Sequence, residues 1–337
     1  VQRFAAEISR ALLALEAGRA RLLVPANGAP LWPGAQPTGA LHGQAWEQWD
    51  LPRGARDGIL VNLGNTAPLL ARRQLVVIHD AGVYSTPEAY SRKFRTWYKI
   101  LHNALIRRGV PVVTVSEFSR REIIRNLPAR PEQVSVIPEG ADHVQRIAPD
   151  PDTLRQFGLT PGRFVLAVGN LAAHKNLPAL GLLAENLRAQ QMSLVVAGNV
   201  LGNAFSATGQ LLLPEAAHYV GRVTDAQLKA LYQAACCFIF PSRYEGFGLP
   251  AVEAMASGCP VAAADIPSLR ETCGEAALYC DPSSPDHIAA TVLRLCNDSD
   301  LQAQLREAGL RHTGAMTWHR AALVLQDIIT THYGGHA

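Results

Sequence analysis

Short, nearly continuous apolar runs recur along the chain, separated by stretches in which apolar residues fall at three- and four-residue steps. The first pattern predicts buried strands and the second predicts helices with one apolar face. Their alternation predicts an α/β fold, a parallel sheet covered by helices on both faces. In the first half the strand-like runs are 21–24, 59–63, 75–78, 112–115 and 134–137. The opening VQRFAAEISRALLAL reads as an amphipathic helix. Phe94, Trp97, Tyr98, Leu101 and Leu105 mark another, Ser119 with Glu122 reads as a capping box, and helix capping accounts for Ser116 as well as Ser119. The alternation restarts with runs at 164–168, 194–197, 237–240 and 260–263.

Between the two halves the pattern lapses, and Pro138, Gly140, Pro149, Pro151, Pro161 and Gly162 punctuate the chain. A domain boundary belongs there. The expected organisation is two doubly wound domains over 1–148 and 149–317, then a helix over 318–337 packing back on the first. A domain of this type opens with a strand and a Gly-rich turn, whereas this chain opens inside a helix. Either its natural start is missing or the first sheet is short of a strand.

Composition narrows the classes. Of 337 residues, 48% are hydrophobic and 18% charged, and mean hydropathy is +0.04, which excludes a disordered chain. No apolar run reaches the length of a membrane span, and no secretory leader opens the sequence, so a cytoplasmic protein is expected. The six cysteines show no C-x-x-C spacing and read as buried reduced thiols. Net charge is +3 overall but +6 over 1–150 and −3 over 151–337, which suggests different partners for the two halves.

The segment 241–261, PSRYEGFGLPAVEAMASGCPV, carries the most chemistry. It leaves an apolar strand, turns through Gly246 and Gly248, and enters a helix with Pro250 in its first turn, where a missing N–H is harmless. Backbone N–H groups would converge there on an anion such as phosphate. Glu245 and Glu253 stand eight positions apart in the same segment. Carboxylates beside a phosphate site need another partner, and vicinal sugar hydroxyls fit. The plainer reading is a dipole-complementing Glu253 and a solvated Glu245. Two D-x-D strings, at 150–152 and 298–300, lie in a proline-rich linker and at a helix start, and no metal role is expected for them.

This segment resembles the E-x7-E signature of retaining nucleotide-sugar glycosyltransferases of the GT-B fold, family 4, and GFGLP and EAMASGCPV match the pattern closely. The resemblance implies two Rossmann-like domains facing across a cleft, the first binding an acceptor and the second a nucleotide sugar. It also implies a metal-independent reaction without a cofactor. By similarity, Glu253 holds the donor ribose, Glu245 contacts the transferred sugar, and the backbone over Gly246, Phe247, Gly248 and Leu249 touches sugar and phosphate. GNLAAHKN, at 169–176, resembles the diphosphate-binding loop, with Gly169, Asn170 and the clamping cation Lys175. This chain lacks the further arginine many members carry there, which shifts phosphate neutralisation to Lys175 with Arg222 or Arg243. His79, in LVVIHD, resembles a histidine used at the donor sugar and acceptor; a histidine bonded to a backbone carbonyl is the alternative. VIPEGAD, at 136–142, resembles an interdomain turn. Catalytic roles are thus implied for Glu245, His79 and Lys175.

The stretch 92–108 holds Arg92, Lys93, Arg95, Lys99, Arg107 and Arg108 without an acid, interleaved with aromatics. It reads equally as a membrane-surface helix facing an anionic leaflet or as a core helix with a solvated basic face. Nucleic acid is not expected. The function implied is transfer of a hexosyl group, with mannose from GDP-mannose the first choice, to a glycan or lipid-linked acceptor in cell-surface polysaccharide synthesis. The alternatives are a catalytically silent nucleotide-sugar-binding subunit and a GT-B enzyme of another reaction class.

Overall fold

The computed structural model describes residues 1–26, 34–198 and 213–334. Its internal packing divides the chain into two units. The first comprises Val1–Ala81, Thr96–Gly140 and Trp318–Ala337, and the second Gly82–Arg95 and Ala141–Thr317.

In the first unit β1 (Leu23–Pro25) pairs with β2 (Gln36–Thr38). Then β3 (Leu60–Asn62), β4 (Gln74–Val77), β5 (Val112–Thr114) and β6 (Val134–Val136) form a four-stranded sheet in that order, every pairing parallel. All of β4 and β5 is buried, as expected of strands covered on both faces. The helix Gln2–Leu15 packs along the helix Trp318–Tyr333. Phe4 meets Trp318 edge-on at 5.7 Å, and the Tyr333 hydroxyl donates to the Gln74 carbonyl at 2.6 Å.

The second unit holds one six-stranded parallel sheet: β7 (Phe164–Val168), β8 (Ser193–Ala197), β9 (Ala217–Gly221), β10 (Cys237–Phe240), β11 (Val261–Ala264) and β12 (Ala277–Cys280). Its order is β12-β11-β10-β7-β8-β9. The chain therefore starts mid-sheet at β7, winds outward to β9, then returns to the other side of β7 and winds outward again. That is the doubly wound nucleotide-binding order, and its switch point lies between β7 and β10. Alternate residues feed opposite faces: Val165, Val196 and Ile239 join one core and Leu166, Val195 and Phe238 the other.

The strands expected from the apolar runs are present within a residue or two, but β2, β9 and β12 were not anticipated. Gln36, Pro37 and Thr38 carry no apolar pattern, and β9 and β12 are half-buried edges whose sequences, AHYVG and ALYC, alternate weakly. Of the two serines expected as caps, Ser116 caps the helix Glu117–Asn126, its Oγ accepting from the Ser119 amide at 3.0 Å, and the capping box at Ser119 is corrected. Ser116 is the extended residue leaving β5, which a cap must be, whereas Ser119 is already helical. In the two D-x-D strings, Asp298 caps the helix Ser299–Thr313 and Asp150 accepts from the Asp152 amide. Burial pushes the thiols of Cys273 and Cys280 up to about 12, so they stay protonated. Among the described residues no helix is long and apolar enough to cross a membrane.

Candidate active site

Two loops leave the carboxyl ends of the adjacent strands β7 and β10, on either side of the switch point, and they are stitched together. The Arg243 amide donates to the His174 carbonyl at 2.8 Å. Asn176 Nδ2 donates to the carbonyls of Pro241 and Pro282, at 3.1 and 2.8 Å. Lys175 Nζ, from the first loop, lies 2.6 Å from Glu245 Oε1, from the second, and stands 5.4 Å from the centre of the Phe240 ring. Both side chains of this ion pair are mostly shielded, at 16% and 12% exposure, which strengthens their attraction over that of a surface pair.

The backbone approaches itself closely here. The Gly169 amide donates to the Ala197 carbonyl, and the Gly198 amide to the Gly221 carbonyl. A Cβ on Gly198 would sit 1.7 Å from the Gly169 oxygen, so only glycine fits. Asn170 Oδ1 accepts from the Ala172 amide, a local turn contact. Gly248 holds φ at +96° as it caps the helix Leu249–Ala256, and a Cβ there would sit 2.4 Å from Leu269. The Phe247 carbonyl accepts from Thr272 Oγ1 at 2.7 Å. Among the described residues the amides of Phe247, Gly248 and Leu249 meet no protein acceptor. A loop whose carbonyl is tied down while its amides stay available suits an anion.

Glu253 lies inside that helix, buried, with Oε1 2.9 Å from His143 Nε2. Arg222 is exposed just beyond Gly221, at the carboxyl end of β9. Arg243 is also exposed. The structure thus brings Gly169, Lys175 and Glu245 together at one strand edge, leads Gly246 to Leu249 into the helix that carries Glu253, and leaves Arg222 at the end of an outer strand.

His79 belongs to the first unit. It is 4% exposed, with Nε2 on the Leu63 carbonyl at 3.0 Å, its amide held by Asn65 Oδ1 at 2.7 Å, and its ring edge-on to Phe4. Its Nδ1 faces Glu139 Oε1 at 3.8 Å. This geometry is that of a histidine bonded to a backbone carbonyl, and it ties the ends of β3 and β4 together. In the basic helix Arg92–Arg107, Arg95 donates to the Pro87 carbonyl, while Trp97 and Ile100 are 36% and 58% exposed.

Three features had no sequence signal. His143 is a lone histidine whose partner is 110 residues away. Asn176 announces itself only as an asparagine in a turn, yet it adopts φ +58° and joins three loops. The segment Gly82–Arg95, from the first half of the chain, packs within the second unit, its turn Pro87–Ala89 against the turn Ala173–Lys175. Among the described residues no cluster of three or more His, Cys, Asp or Glu side chains could hold a metal ion.

Comparison with known proteins agrees with this geometry. The family profile Glycosyl transferases group 1 matches residues 151–312. The O-antigen chain mannosyltransferase B of Escherichia coli is 33% identical over 264 residues, 74% of this chain and 68% of that protein. The O-antigen chain mannosyltransferase RfbU of Salmonella typhimurium is 27% identical, over 66% of this chain and 63% of its own length. The solved structure of WaaG, a glycosyltransferase involved in lipopolysaccharide biosynthesis, superposes with a TM-score of 0.70 at 16% identity, covering 98% of this chain and 95% of that one, which shows the shared GT-B fold. A doubly wound sheet, a glycine-shaped strand edge and an E-x7-E helix entry, matched along two thirds of a known relative, place this chain in the group 1 glycosyltransferases.

Proposed function

We propose that the protein transfers mannose from GDP-mannose, with retention of configuration, to a hydroxyl of a glycan or lipid-linked acceptor in cell-surface polysaccharide assembly. The observation that carries this reading is the Lys175–Glu245 pair at the switch point, and the kinship with O-antigen chain mannosyltransferases supports the choice of sugar. A cation and a carboxylate in contact are what a diphosphate-linked sugar needs. The ammonium meets the charge that builds on the departing phosphate, and the carboxylate, released from its partner, faces the positive charge that builds on the sugar ring. The amides leading into the helix Leu249–Ala256 add to the positive end, so the proposed reaction uses no metal ion. Glu253, held by His143, accepts from the ribose hydroxyls.

Retention follows if the acceptor oxygen bonds the sugar carbon on the face the phosphate leaves, with a phosphate oxygen taking the acceptor proton. That route asks no side chain to act as nucleophile, and His79, committed to a carbonyl, serves as a positioning residue. The exposed Trp97 and Ile100 among basic neighbours support the membrane reading of the helix Arg92–Arg107, with peripheral contact on an anionic cytoplasmic face.

Thermal unfolding of the wild type and Glu245→Ala with GDP, UDP, ADP and dTDP tests the proposal. At about 100 times its dissociation constant a ligand adds about 2.7 kcal/mol, and we expect that gain from GDP alone, in both proteins. Mannosyl transfer should fall by about 10²-fold or more in the variant, the usual loss for one transition-state charge contact. Selective stabilisation by another nucleotide would overturn the donor assignment, and unchanged transfer by the variant would overturn the role of Glu245.

A further inference from the structure

The first unit has a concave surface at the opposite edge of its sheet from the strand ends that carry Leu63, Asn65 and His79. A pocket of about 560 Å³ opens where the chain enters β3 and β4, and its lining includes Trp49, Arg53, Arg56, Leu70, Arg72 and Arg73. At about 3.3 Å per residue, these strands set the two edges roughly 10 Å apart. Ligands of such folds gather at the carboxyl ends of the sheet, and the amino-edge pocket lies away from them.

Its walls are built. The π-helical turn Trp46–Asp50 presents Trp49, 53% exposed. Gln48 locks that turn to the facing loop, donating to the Ala67 carbonyl at 3.0 Å and accepting from the Leu69 amide at 2.9 Å. Leu70, 63% exposed, stands on that loop. Arg53 is held by the Trp49 carbonyl and ring, and Arg73 lies over the Tyr333 ring at 5.8 Å. Among the described residues none of the four arginines is ion-paired, whereas Arg10 and Arg19 of the same unit each hold a glutamate. Asp57, the acid next in sequence, does not line the pocket. Four like charges around one hollow repel unless a counter-charge enters. Guanidinium forks match phosphate oxygens in pairs, and the indole with the leucine offers an apolar floor beside them.

We propose that this pocket binds a net anionic phosphate group carried on an apolar body. The proposal stands apart from the donor reading, since no residue is shared. Titration calorimetry on the full chain tests it, with dihexanoyl phosphatidic acid as monomer, inorganic pyrophosphate, and dihexanoyl phosphatidylcholine as the neutral-headgroup control. The wild type should bind the first two and not the third. Arg56→Glu with Arg72→Glu should weaken both at least tenfold, and Trp49→Ala should weaken phosphatidic acid at least fivefold while leaving pyrophosphate unchanged. Unliganded melting midpoints matching the wild type would show that the variants fold. Equal binding by wild type and the arginine variant, or no binding of either phosphate, overturns the proposal. Pyrophosphate binding without phosphatidic acid binding overturns its apolar half and assigns the pocket to soluble phosphates.

Discussion

His102 is nearly fully buried, its Nε2 on the Asn65 carbonyl at 2.8 Å, and burial holds its pKa below the ordinary histidine value. The unfolded chain takes up this proton near pH 6.5 and the folded chain only in stronger acid, so protons favour unfolding. The stability is complete above about pH 6.5 and drains away as pH falls toward the lowered folded value, at up to about 1.4 kcal/mol per pH unit. Denaturant titrations at pH 7.5, 6.5 and 5.5 should show a shallower loss for His102→Gln than for the wild type, and parallel slopes would refute the assignment. At this scale the loops of the candidate site were legible and their supports were not. Glu245 and Lys175 declare themselves because glycines beside a strand end leave few tasks for a charged residue. His143 and Thr272 act on Glu253 and Phe247 through contacts that only the folded sheet creates.

At the scale of elements, loops rather than strands decide how firmly the candidate site is held. Asn176 is one side chain bridging the loops after β7, β10 and β12, and it does so in a left-handed conformation. Asn176→Ala removes both bonds, strands two carbonyls and keeps the strained φ, and should destabilise the fold by about 2–4 kcal/mol. Asn176→Gly relieves only the strain, so it should fare better by about 1 kcal/mol. Equilibrium unfolding of the pair reads the difference, and equal loss would mean the backbone there is not strained. The strands themselves were readable because burial on both faces writes a continuous apolar run. Edge strands β9 and β12 escaped because a half-solvated strand carries no such run, and β2 because backbone pairing alone holds three polar or cyclic residues.

For the whole molecule, the two units answer to different perturbations. Trp318, 2% exposed and edge-on to Phe4, lies in the first unit. Trp318→Ala should cost the first unit about 3–5 kcal/mol, while nucleotide stabilisation of the second unit persists. Limited proteolysis should then cut within 1–81 and 96–140 first, and uniform cleavage of both units would show that they melt together. The alternation of strands and helices announced two such units. That Gly82–Arg95 is lent to the second and the final helix returned to the first was not readable, because neither exchange changes the local pattern of apolar residues.

The packing of the helix Gln2–Leu15 along the helix Trp318–Tyr333 joins two segments more than three hundred residues apart in the chain. During synthesis Phe4 must wait, without its indole neighbour, while more than three hundred residues are made. The second unit is complete before the first can close. A nascent chain therefore completes the second unit before the first, and the face of Gln2–Leu15 that meets Trp318–Tyr333 stays uncovered until that later helix is made.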